Sequence, residues 1–207
     1  MPPRRPDPLE RYREKRDPAR TPEPFAAPPA TERSTRLGRF VVHRHSATRD
    51  HYDLRLEIGG ALKSFAIPKT PSLDPEEKRL AVHTEDHPLD YLEFEGVIPD
   101  GNYGAGPMIV WDLGRVRYLD GSAEEGVEKG KIDFELSGFK LSGRFALVHT
   151  GARRGEAKQW LLIKKADAHA KPHAELDPRS VLSGLLASEL AELPTVVRQL
   201  EADAAAL

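Results

Sequence analysis

From residue 39 onward, hydrophobic and polar positions alternate in short runs, which is the pattern of β-strands with one buried face. In H-Y-D-L-R-L-E-I, Tyr52, Leu54 and Leu56 alternate with histidine and charged side chains. The pair Gly59-Gly60 follows directly and predicts a two-residue hairpin turn. Eight further runs share this character: F-V-V-H-R-H, A-L-K-S-F-A-I, R-L-A-V-H-T, M-I-V-W-D, R-V-R-Y-L, K-I-D-F-E-L, G-R-F-A-L-V-H and Q-W-L-L-I-K.

Nine such runs without regular helical interleaving predict a mainly β fold. Short strands that follow one another closely are typical of a closed or nearly closed antiparallel barrel or sandwich. We expect the compact antiparallel β-barrel, with glycine or charged turns between its strands.

The first 37 residues lack this alternation. They contain half of the 18 prolines and few large apolar residues, a composition that cannot bury enough surface to fold alone. We expect a Pro-rich N-terminal arm, with a short helix around Leu9 to Lys15, that lies on the core or on a ligand.

The last 40 residues return to a helical pattern. Asp177 is placed to cap a helix, and Pro178 suits its first position. Pro194 ends this helix before a second short one. One face carries an apolar stripe that would pack on the barrel or form a weak oligomer contact, namely Val181, Leu182, Leu185, Leu186 and Leu190.

These changes of pattern divide the chain into three parts. We expect an arm at 1–37, a barrel domain at 38–166 and a C-terminal helical tail at 167–207 that flanks the barrel.

Composition narrows the chemistry. Cysteine is absent, so disulfides and thiol catalysis are excluded and any metal site is restricted to His, Asp and Glu. No apolar run approaches the ~20 residues of a membrane span, and the start lacks a secretory apolar core. The formal charge of −2 gives no global attraction to nucleic acid, so a basic surface would have to be local. We expect a soluble, cytoplasmic protein.

The other register of the strand at 51–57 gathers candidate site residues. If Tyr52, Leu54 and Leu56 face the core, His51, Asp53, Arg55 and Glu57 project together on the opposite face. The simpler interpretation is a solvated strand face with an Asp–Arg pair. However, His next to Asp is a metal-ligand pairing, and His45 lies just upstream. A mixed N/O ligand set suits Mn²⁺, Fe²⁺ or Zn²⁺, and an arginine beside it favours an anionic ligand.

Two other metal-site interpretations stay open. His51-x-Asp53 also opens the triad of non-haem iron oxygenases, for which His149 is the well-placed distal histidine. His43-Arg44-His45 imitates the H-x-H of cupins, although the expected glutamate is missing and Asp50 is the closest approximation.

A second group of polar residues follows in E-D-H-P-L-D-Y. Pro88 suits the first position of a helical turn, which would place His87 and Tyr91 one turn apart on the same side. An imidazole and a phenol could bind a phosphate oxygen or protonate a leaving group; a capped turn with a satisfied histidine is the alternative. The run Gly101 to Gly106 lacks a phosphate-loop G-K-[ST] and predicts a tight connection between strands.

Four longer runs of the sequence resemble a known protein family. The runs F-V-V-H-R-H-S-A-T-R-D-H-Y-D-L-R-L-E, L-K-S-F-A-I-P-K-T-P-S, E-D-H-P-L-D-Y-x-x-F-E-G-x-I-P-x-G-x-Y-G-A-G and W-D-x-G closely resemble the 3′-phosphoesterase domain of bacterial DNA ligase D. The arm K-R-D-P-A-R-T-P-E-P also resembles that family, and the likeness covers roughly residues 9 to 165 in order.

The resemblance implies an enzyme, preferably dependent on Mn²⁺, with Co²⁺ or Zn²⁺ as other options. Its implied activity is to clean the 3′ ends of DNA or RNA/DNA primer-templates during repair by non-homologous end joining. It would remove a 3′-terminal ribonucleoside by phosphodiester cleavage and then the remaining 3′-phosphate. The competing interpretation is a nucleic-acid-end binding module without catalysis.

The family's functional residues carry over to matching positions. The metal ligands correspond to His45, His51 and Asp53. The phosphate-contacting residues correspond to Arg55, His87 and Tyr91. Further basic substrate contacts correspond to Lys69 and Arg79. The residues tied to the family's activity on ribonucleotide-ended strands correspond to Arg16, Asp17, Glu23 and Glu85.

No K-x-D-G nucleotidyl-transfer motif and no D-x-D pair occurs in the chain. We therefore expect a stand-alone, monomeric, nucleoid-associated phosphoesterase, with ligase, polymerase and end-binding functions on separate proteins.

Overall fold

The computed structural model describes residues 7–25, 36–151 and 159–193. Nine strands carry most of the described chain: β1 Leu37–Ser46, β2 Asp50–Ile58, β3 Ala61–Ile67, β4 Lys78–His83, β5 Gly96–Ile98, β6 Gly106–Tyr118, β7 Lys131–Gly138, β8 Ser142–His149 and β9 Gln159–Lys164. Two short α-helices, α1 Glu10–Glu14 and α2 Ala123–Lys129, and a 3₁₀ helix, Leu89–Glu93, accompany them.

The strands form a closed antiparallel barrel. The hydrogen-bonded order is β1-β2-β3-β4-β9-β8-β7-β6-β5, and β1 also pairs with β6, which closes eight strands into a ring. Strand β5 pairs only with the start of β6 and lies outside this ring. The predicted antiparallel β-barrel is confirmed.

The alternation along β2 sorts side chains between two hydrophobic clusters. Tyr52, Leu54 and Leu56 point into the barrel and pack with the main core, which includes Trp111 and Phe134. A second cluster covers the outer face of β1, β3 and β6, and its members are Tyr12, Val41, Leu62, Tyr91, Leu92, Ile98, Met108 and Val110. The arm and the 3₁₀ helix therefore pack on one outer face of the barrel, next to the charged register of β2.

Three elements differ from the sequence prediction. The predicted strands M-I-V-W-D and R-V-R-Y-L are one continuous strand, β6, because Gly114 between them pairs with Gly138 instead of turning. A Cβ at Gly114 would lie 2.2 Å from the carbonyl oxygen of Ser137, so the glycine allows close approach of two strands. Strand β5 and helix α2 were not predicted, although Ser122 caps α2 by accepting from the backbone N–H of Glu125.

The predicted helix start at Asp177 is wrong. Helix occupies residues 187–193 instead, because the backbone before it binds the barrel. The carbonyl of Asp177 accepts from Trp111 Nε1 at 2.8 Å, and the N–H of Val181 donates to the carbonyl of Val110 at 2.9 Å. Leu182, predicted to pack, is exposed. The predicted second helix after Pro194 lies outside the described residues.

Other local predictions are confirmed. Ile58 and Ala61 pair across the Gly59-Gly60 turn, as the hairpin signal predicts. Helix α1 forms within the stretch predicted for the arm. No helix in the described part of the chain is long and apolar enough to cross a membrane.

Candidate active site

The register of β1 and β2 brings the candidate ligands together. His45 pairs directly with His51, and His43 pairs with Asp53, so both pairs share the outer face of the barrel. The rings of His45 and His51 are 4.9 Å apart, and His51 Nε2 lies 3.7 Å from Asp53 Oδ2. One ligand atom from each of His45, His51 and Asp53 falls within 4.8 Å of the others, the one such group among the described residues.

The hydrogen bonds of both histidines leave one nitrogen free for a metal. His45 Nε2 donates to the carbonyl of Gly104 at 2.9 Å, so its Nδ1 lone pair is available. His51 Nδ1 donates to the carbonyl of Arg49 at 2.8 Å, so its Nε2 lone pair faces Asp53. A carbonyl partner on the second ring nitrogen is typical of metal-binding histidines. Burial also lowers the pKa of His45, which keeps the ring neutral.

Donor type and orientation therefore both fit a divalent metal. Two imidazoles and one carboxylate suit Mn²⁺, Fe²⁺, Co²⁺ or Zn²⁺ better than the all-oxygen sites of Mg²⁺ or Ca²⁺.

The glycine-rich connection between β5 and β6 supplies the backbone partner of His45. Gly104 has φ +75°, a conformation that favours glycine, and a Cβ there would lie 3.4 Å from Cε1 of His45. The predicted tight connection at Gly101 to Gly106 is confirmed, and it orients a ligand.

Arg55 is more buried and more engaged than the sequence predicts. Its guanidinium donates to Asp53 Oδ2 at 2.9 Å, Ser64 Oγ at 2.9 Å, His43 Nδ1 at 3.2 Å and His87 Nδ1 at 2.8 Å. These contacts use four of the five N–H groups of a guanidinium, and the residue is 2% exposed. Arg55 thus holds the carboxylate of Asp53 in place while it lines the cleft.

His87 presents a donor to the cleft. Its Nδ1 lies 3.0 Å from the carbonyl of Glu85 but nearer to the guanidinium of Arg55, which can only donate, so Nδ1 accepts and the proton is on Nε2. Burial, reinforced by the charges of Arg55 and Arg16, lowers the pKa of His87 well below its usual value. The ring is therefore neutral in the free protein.

Arg16 from the arm faces this donor. Its Nη2 lies 3.4 Å from His87 Nε2. Two donors cannot bond to one another, whereas an anionic oxygen between them would accept from both. The opposed donors therefore mark a candidate position for a phosphate oxygen.

Two buried carboxylates hold the arm on the barrel. Glu23 accepts from Arg16 Nε at 2.7 Å and from the hydroxyl of Tyr91 at 2.6 Å. Glu85 accepts from Lys15 at 2.8 Å and from Arg16 Nη1 at 3.1 Å. Although burial raises the pKa of Glu85, the hydrogen bonds from these cations lower it overall.

The Tyr91 hydroxyl faces the carboxylate of Glu23 in this arrangement and is not free for a phosphate oxygen. Its ring lies 4.8 Å from that of His87, as the predicted shared side requires, but its hydroxyl is committed to Glu23 and burial raises its pKa well above the usual value. The turn that carries it is a 3₁₀ helix, and Pro88 precedes this helix instead of starting it.

With the exception of Glu23, His43 and Ser64, the candidate ligands and the polar groups around them border one cleft of about 290 Å³. Its polar side contains the three candidate ligands with Arg16, Arg55, Glu85 and His87, and its apolar side is formed by Ala47, Ile98, Tyr103 and Met108. The cleft thus combines the candidate metal ligands at one end with an apolar wall.

The remaining predicted site residues lie elsewhere. Asp17 is exposed and accepts from the backbone N–H of Ala19 at 3.0 Å. Lys69 and Arg79 border a separate cleft of about 320 Å³ together with Lys78. Arg79 Nε donates to the carbonyl of Thr70 at 2.8 Å.

Sequence reasoning missed Ser64 and considered His43 only as part of a cupin-like H-x-H motif. Ser64 pairs with Arg55 across β2 and β3, so counting back from the Gly59-Gly60 turn would have found it. His43 accepts from Arg55 and is not part of the metal group. His149, considered as a distal ligand, packs against Trp160 and is not part of this group either.

Comparison with known proteins shows the family of the chain. The family model described as the DNA Ligase D 3′-phosphoesterase domain matches residues 43–149. The multifunctional non-homologous end joining protein LigD of Pseudomonas aeruginosa is 52% identical over 181 residues, which cover 85% of this chain and 21% of that protein. The LigD protein of Mycolicibacterium smegmatis is 42% identical over 172 residues, 80% of this chain and 22% of that protein.

The chain thus spans about a fifth of the length of these curated relatives. The family model covers about half of the chain, and both relatives are more than 40% identical over at least four fifths of it. The chain therefore belongs to the DNA ligase D 3′-phosphoesterase domain family.

Proposed function

We propose that this protein is a metal-dependent phosphoesterase that processes the 3′ ends of nucleic acid strands in end-joining repair. Its substrates would be DNA or RNA/DNA primer-templates that end in a 3′-phosphate or a 3′-terminal ribonucleotide. The observation that carries the proposal is the cluster of His45, His51 and Asp53 in the same cleft as the opposed donors of Arg16 and His87.

The metal would be Mn²⁺, with Co²⁺ or Zn²⁺ as other options. A divalent cation held by these three residues would neutralise phosphate charge and lower the pKa of a water. The carbonyls of Gly104 and Arg49 keep the two histidines in the tautomers that this requires.

The chain's own residues would position the phosphate. Arg16 Nη2 and His87 Nε2 would donate to one non-bridging oxygen, because both are donors and lie 3.4 Å apart at the cleft. Arg55 supplies fixed positive charge beneath the cleft, which favours a phosphoryl group whose negative charge spreads in the transition state. It also keeps Asp53 oriented.

His87 is the candidate for protonating the departing 3′ oxygen. Its pKa is low in the free protein, so it would bind first as a hydrogen-bond donor through Nε2. A bound phosphate dianion would raise the pKa of the ring by charge attraction, so that Nδ1 could take up a second proton and hydrogen-bond to the carbonyl of Glu85, 3.0 Å away. The imidazolium would then give its Nε2 proton to the leaving oxygen and return to the neutral ring.

The arm would adapt the cleft to ribonucleotide ends. Arg16 reaches the cleft from the arm, where Glu23 accepts from its Nε, and Glu85 on the barrel accepts from its Nη1. Asp17 lies outside the cleft and would act on a longer strand. Lys69 and Arg79 would contact the nucleic acid backbone beyond it, because their cleft carries three cations and no acidic lining residue.

The proposal is tested by reading product ends. The protein is incubated with Mn²⁺ and 5′-labelled primer-templates that end in a 3′-phosphate, a single ribonucleotide or a 3′-hydroxyl. We expect removal of the phosphate and of the ribonucleoside, and no change at the all-DNA 3′-hydroxyl end. Unchanged ends on all three substrates would favour a binding module. Oxygen-dependent consumption of a 2-oxoacid would instead favour an iron oxygenase, whose ligand set is the same.

A further inference from the structure

An exposed aromatic ring stands at the mouth of the cleft and has no role in the chemistry described above. Tyr103 is 51% exposed although it borders the same cleft as the metal group. It belongs to the connection between β5 and β6, one residue before Gly104, whose carbonyl orients His45. The ring is therefore held one peptide unit away from a contact to a candidate metal ligand.

Cations of the arm surround this ring. Lys15 Nζ lies 4.2 Å and Arg16 Cζ lies 5.4 Å from its centroid. The loop is also tied to the arm, because Asn102 Nδ2 donates to the carbonyl of Arg20 at 3.2 Å. An aromatic ring bordered by basic side chains is the arrangement by which proteins stack unpaired bases and hold their phosphates.

The apolar wall of the cleft continues this surface. Ala47, Ile98 and Met108 line the cleft together with Tyr103. The polar end would take the phosphate of a nucleotide, so this wall faces the part of the nucleotide that is not phosphate. Its chemistry fits an apolar, planar group and offers no side chain that would distinguish one base from another.

We propose that Tyr103 is a stacking platform for the base of the 3′-terminal nucleotide, which seats the phosphate or ribose of that nucleotide at the metal group. The inference rests on the proposed function, because it names the subsite next to the reacting phosphate. Recognition would be independent of base identity, since every base presents a π-face.

The test measures binding without turnover. Affinity of the full chain for a 5′-fluorescent primer-template with a 3′-phosphate is measured by anisotropy in chelator. The terminal nucleotide carries either a base or an abasic sugar. For the wild type we expect the abasic end to bind roughly 5- to 100-fold more weakly, the range for loss of one base–aromatic stack.

The variants show whether Tyr103 is responsible. Tyr103→Ala should lose the same factor on the base-bearing end and nothing further on the abasic end, whereas Tyr103→Phe should bind as the wild type does. Phe139→Ala is the matched control, because Phe139 is also an exposed aromatic, 76% exposed between β7 and β8. It should leave both affinities unchanged.

Two results would overturn the inference. One is a wild-type affinity that does not depend on the terminal base. The other is a Tyr103→Ala protein that loses as much affinity for the abasic end as for the base-bearing end. The proposed function fails separately. If the wild type shows the base dependence in chelator but forms no product with Mn²⁺, the subsite stands and the phosphoesterase does not. If product forms without base dependence, the reverse holds.

Discussion

Arg55 Nη2 donates to Asp53 Oδ2 at 2.9 Å, so the residue expected to bind the substrate anion also holds a candidate metal ligand. The two residues are separated by one position in β2 and share its outer face. The positive charge that would attract the phosphate and the orientation of the Asp53 carboxylate therefore both depend on Arg55.

Arg55→Lys should impair metal use as well as turnover. An ammonium cannot reach the four acceptors of the planar guanidinium, so Asp53 would lose its donor. We expect the Mn²⁺ concentration for half-maximal activity to rise about 10- to 100-fold, the usual effect of losing a partner of a metal ligand. Arg39→Lys is the control, because Arg39 forms an exposed pair with Glu57 on the same two strands. An unchanged Mn²⁺ dependence for Arg55→Lys would assign Arg55 to the substrate alone.

Gly104→Ala should disturb His45. Gly104 has φ +75°, and its carbonyl is the acceptor of His45 Nε2, so a backbone shift that relieves the strain of a Cβ would move this acceptor. We expect a loss of about 1 kcal/mol of unfolding free energy and at least a ~10-fold loss of activity. Gly121→Ala matches it in backbone strain, with φ +72°, but contacts only the flexible Glu125. Chemical denaturation and activity of both variants separate the two effects; equal activity losses would contradict a specific role of Gly104.

Glu23→Ala should release the arm from the barrel. The substitution leaves Arg16 with one ion-pair partner, Glu85, and removes the acceptor of the Tyr91 hydroxyl. Loss of one partner of a buried pair costs about 3–5 kcal/mol, so trypsin should cleave the arm much faster. Removal of a 3′-ribonucleoside should fall more than removal of a 3′-phosphate. Exposed Glu14 supplies the control variant Glu14→Ala, and equal protection of all three proteins would refute this anchoring role.

The free energy of unfolding of the metal-free protein should fall as buried histidines are forced to take up protons at acidic pH. Burial lowers the pKa of His43, His45 and His87 in the folded state, while histidines of the unfolded chain take up protons near pH ~6.5. The free energy of unfolding should therefore fall from about pH 6.5 downward, by at most ~1.4 kcal/mol per pH unit for each ring.

This pH dependence is measured by urea denaturation in chelator between pH 5 and 8. His43→Asn should reduce the slope, since one buried neutral ring is removed, whereas His169→Asn at an exposed position should not. A slope of zero across this range would mean that the buried rings titrate normally.

Much of the site could be predicted from alternation alone. The period of two placed His51, Asp53 and Arg55 on one face, and the Gly59-Gly60 turn sets the register that adds Ser64. His45 joins them because it pairs directly with His51 across β1 and β2, and paired residues lie on the same face of a sheet. These relations are local in the chain, so the sequence contains them.

Other parts depend on contacts between distant segments. The hydrogen bond from Tyr91 to Glu23 joins residues that are 68 positions apart. The partner of His45 is the backbone carbonyl of Gly104, and every residue type has such a group, so the sequence does not reveal it. The wrong helix start at Asp177 has the same origin. Its capping pattern is genuine, but its carbonyl binds Trp111 on the barrel, and a tertiary contact outweighs the local preference.

A metal held by His45, His51 and Asp53 is proposed to drive 3′-end processing. The most direct test is product formation from a 3′-phosphate primer-template over a range of Mn²⁺ concentrations, for the wild type and for His51→Ala. We expect saturable, Mn²⁺-dependent phosphate removal by the wild type, none in chelator, and none at any Mn²⁺ concentration for a folded His51→Ala protein. Full wild-type turnover in chelator, or wild-type rates from His51→Ala, would contradict it.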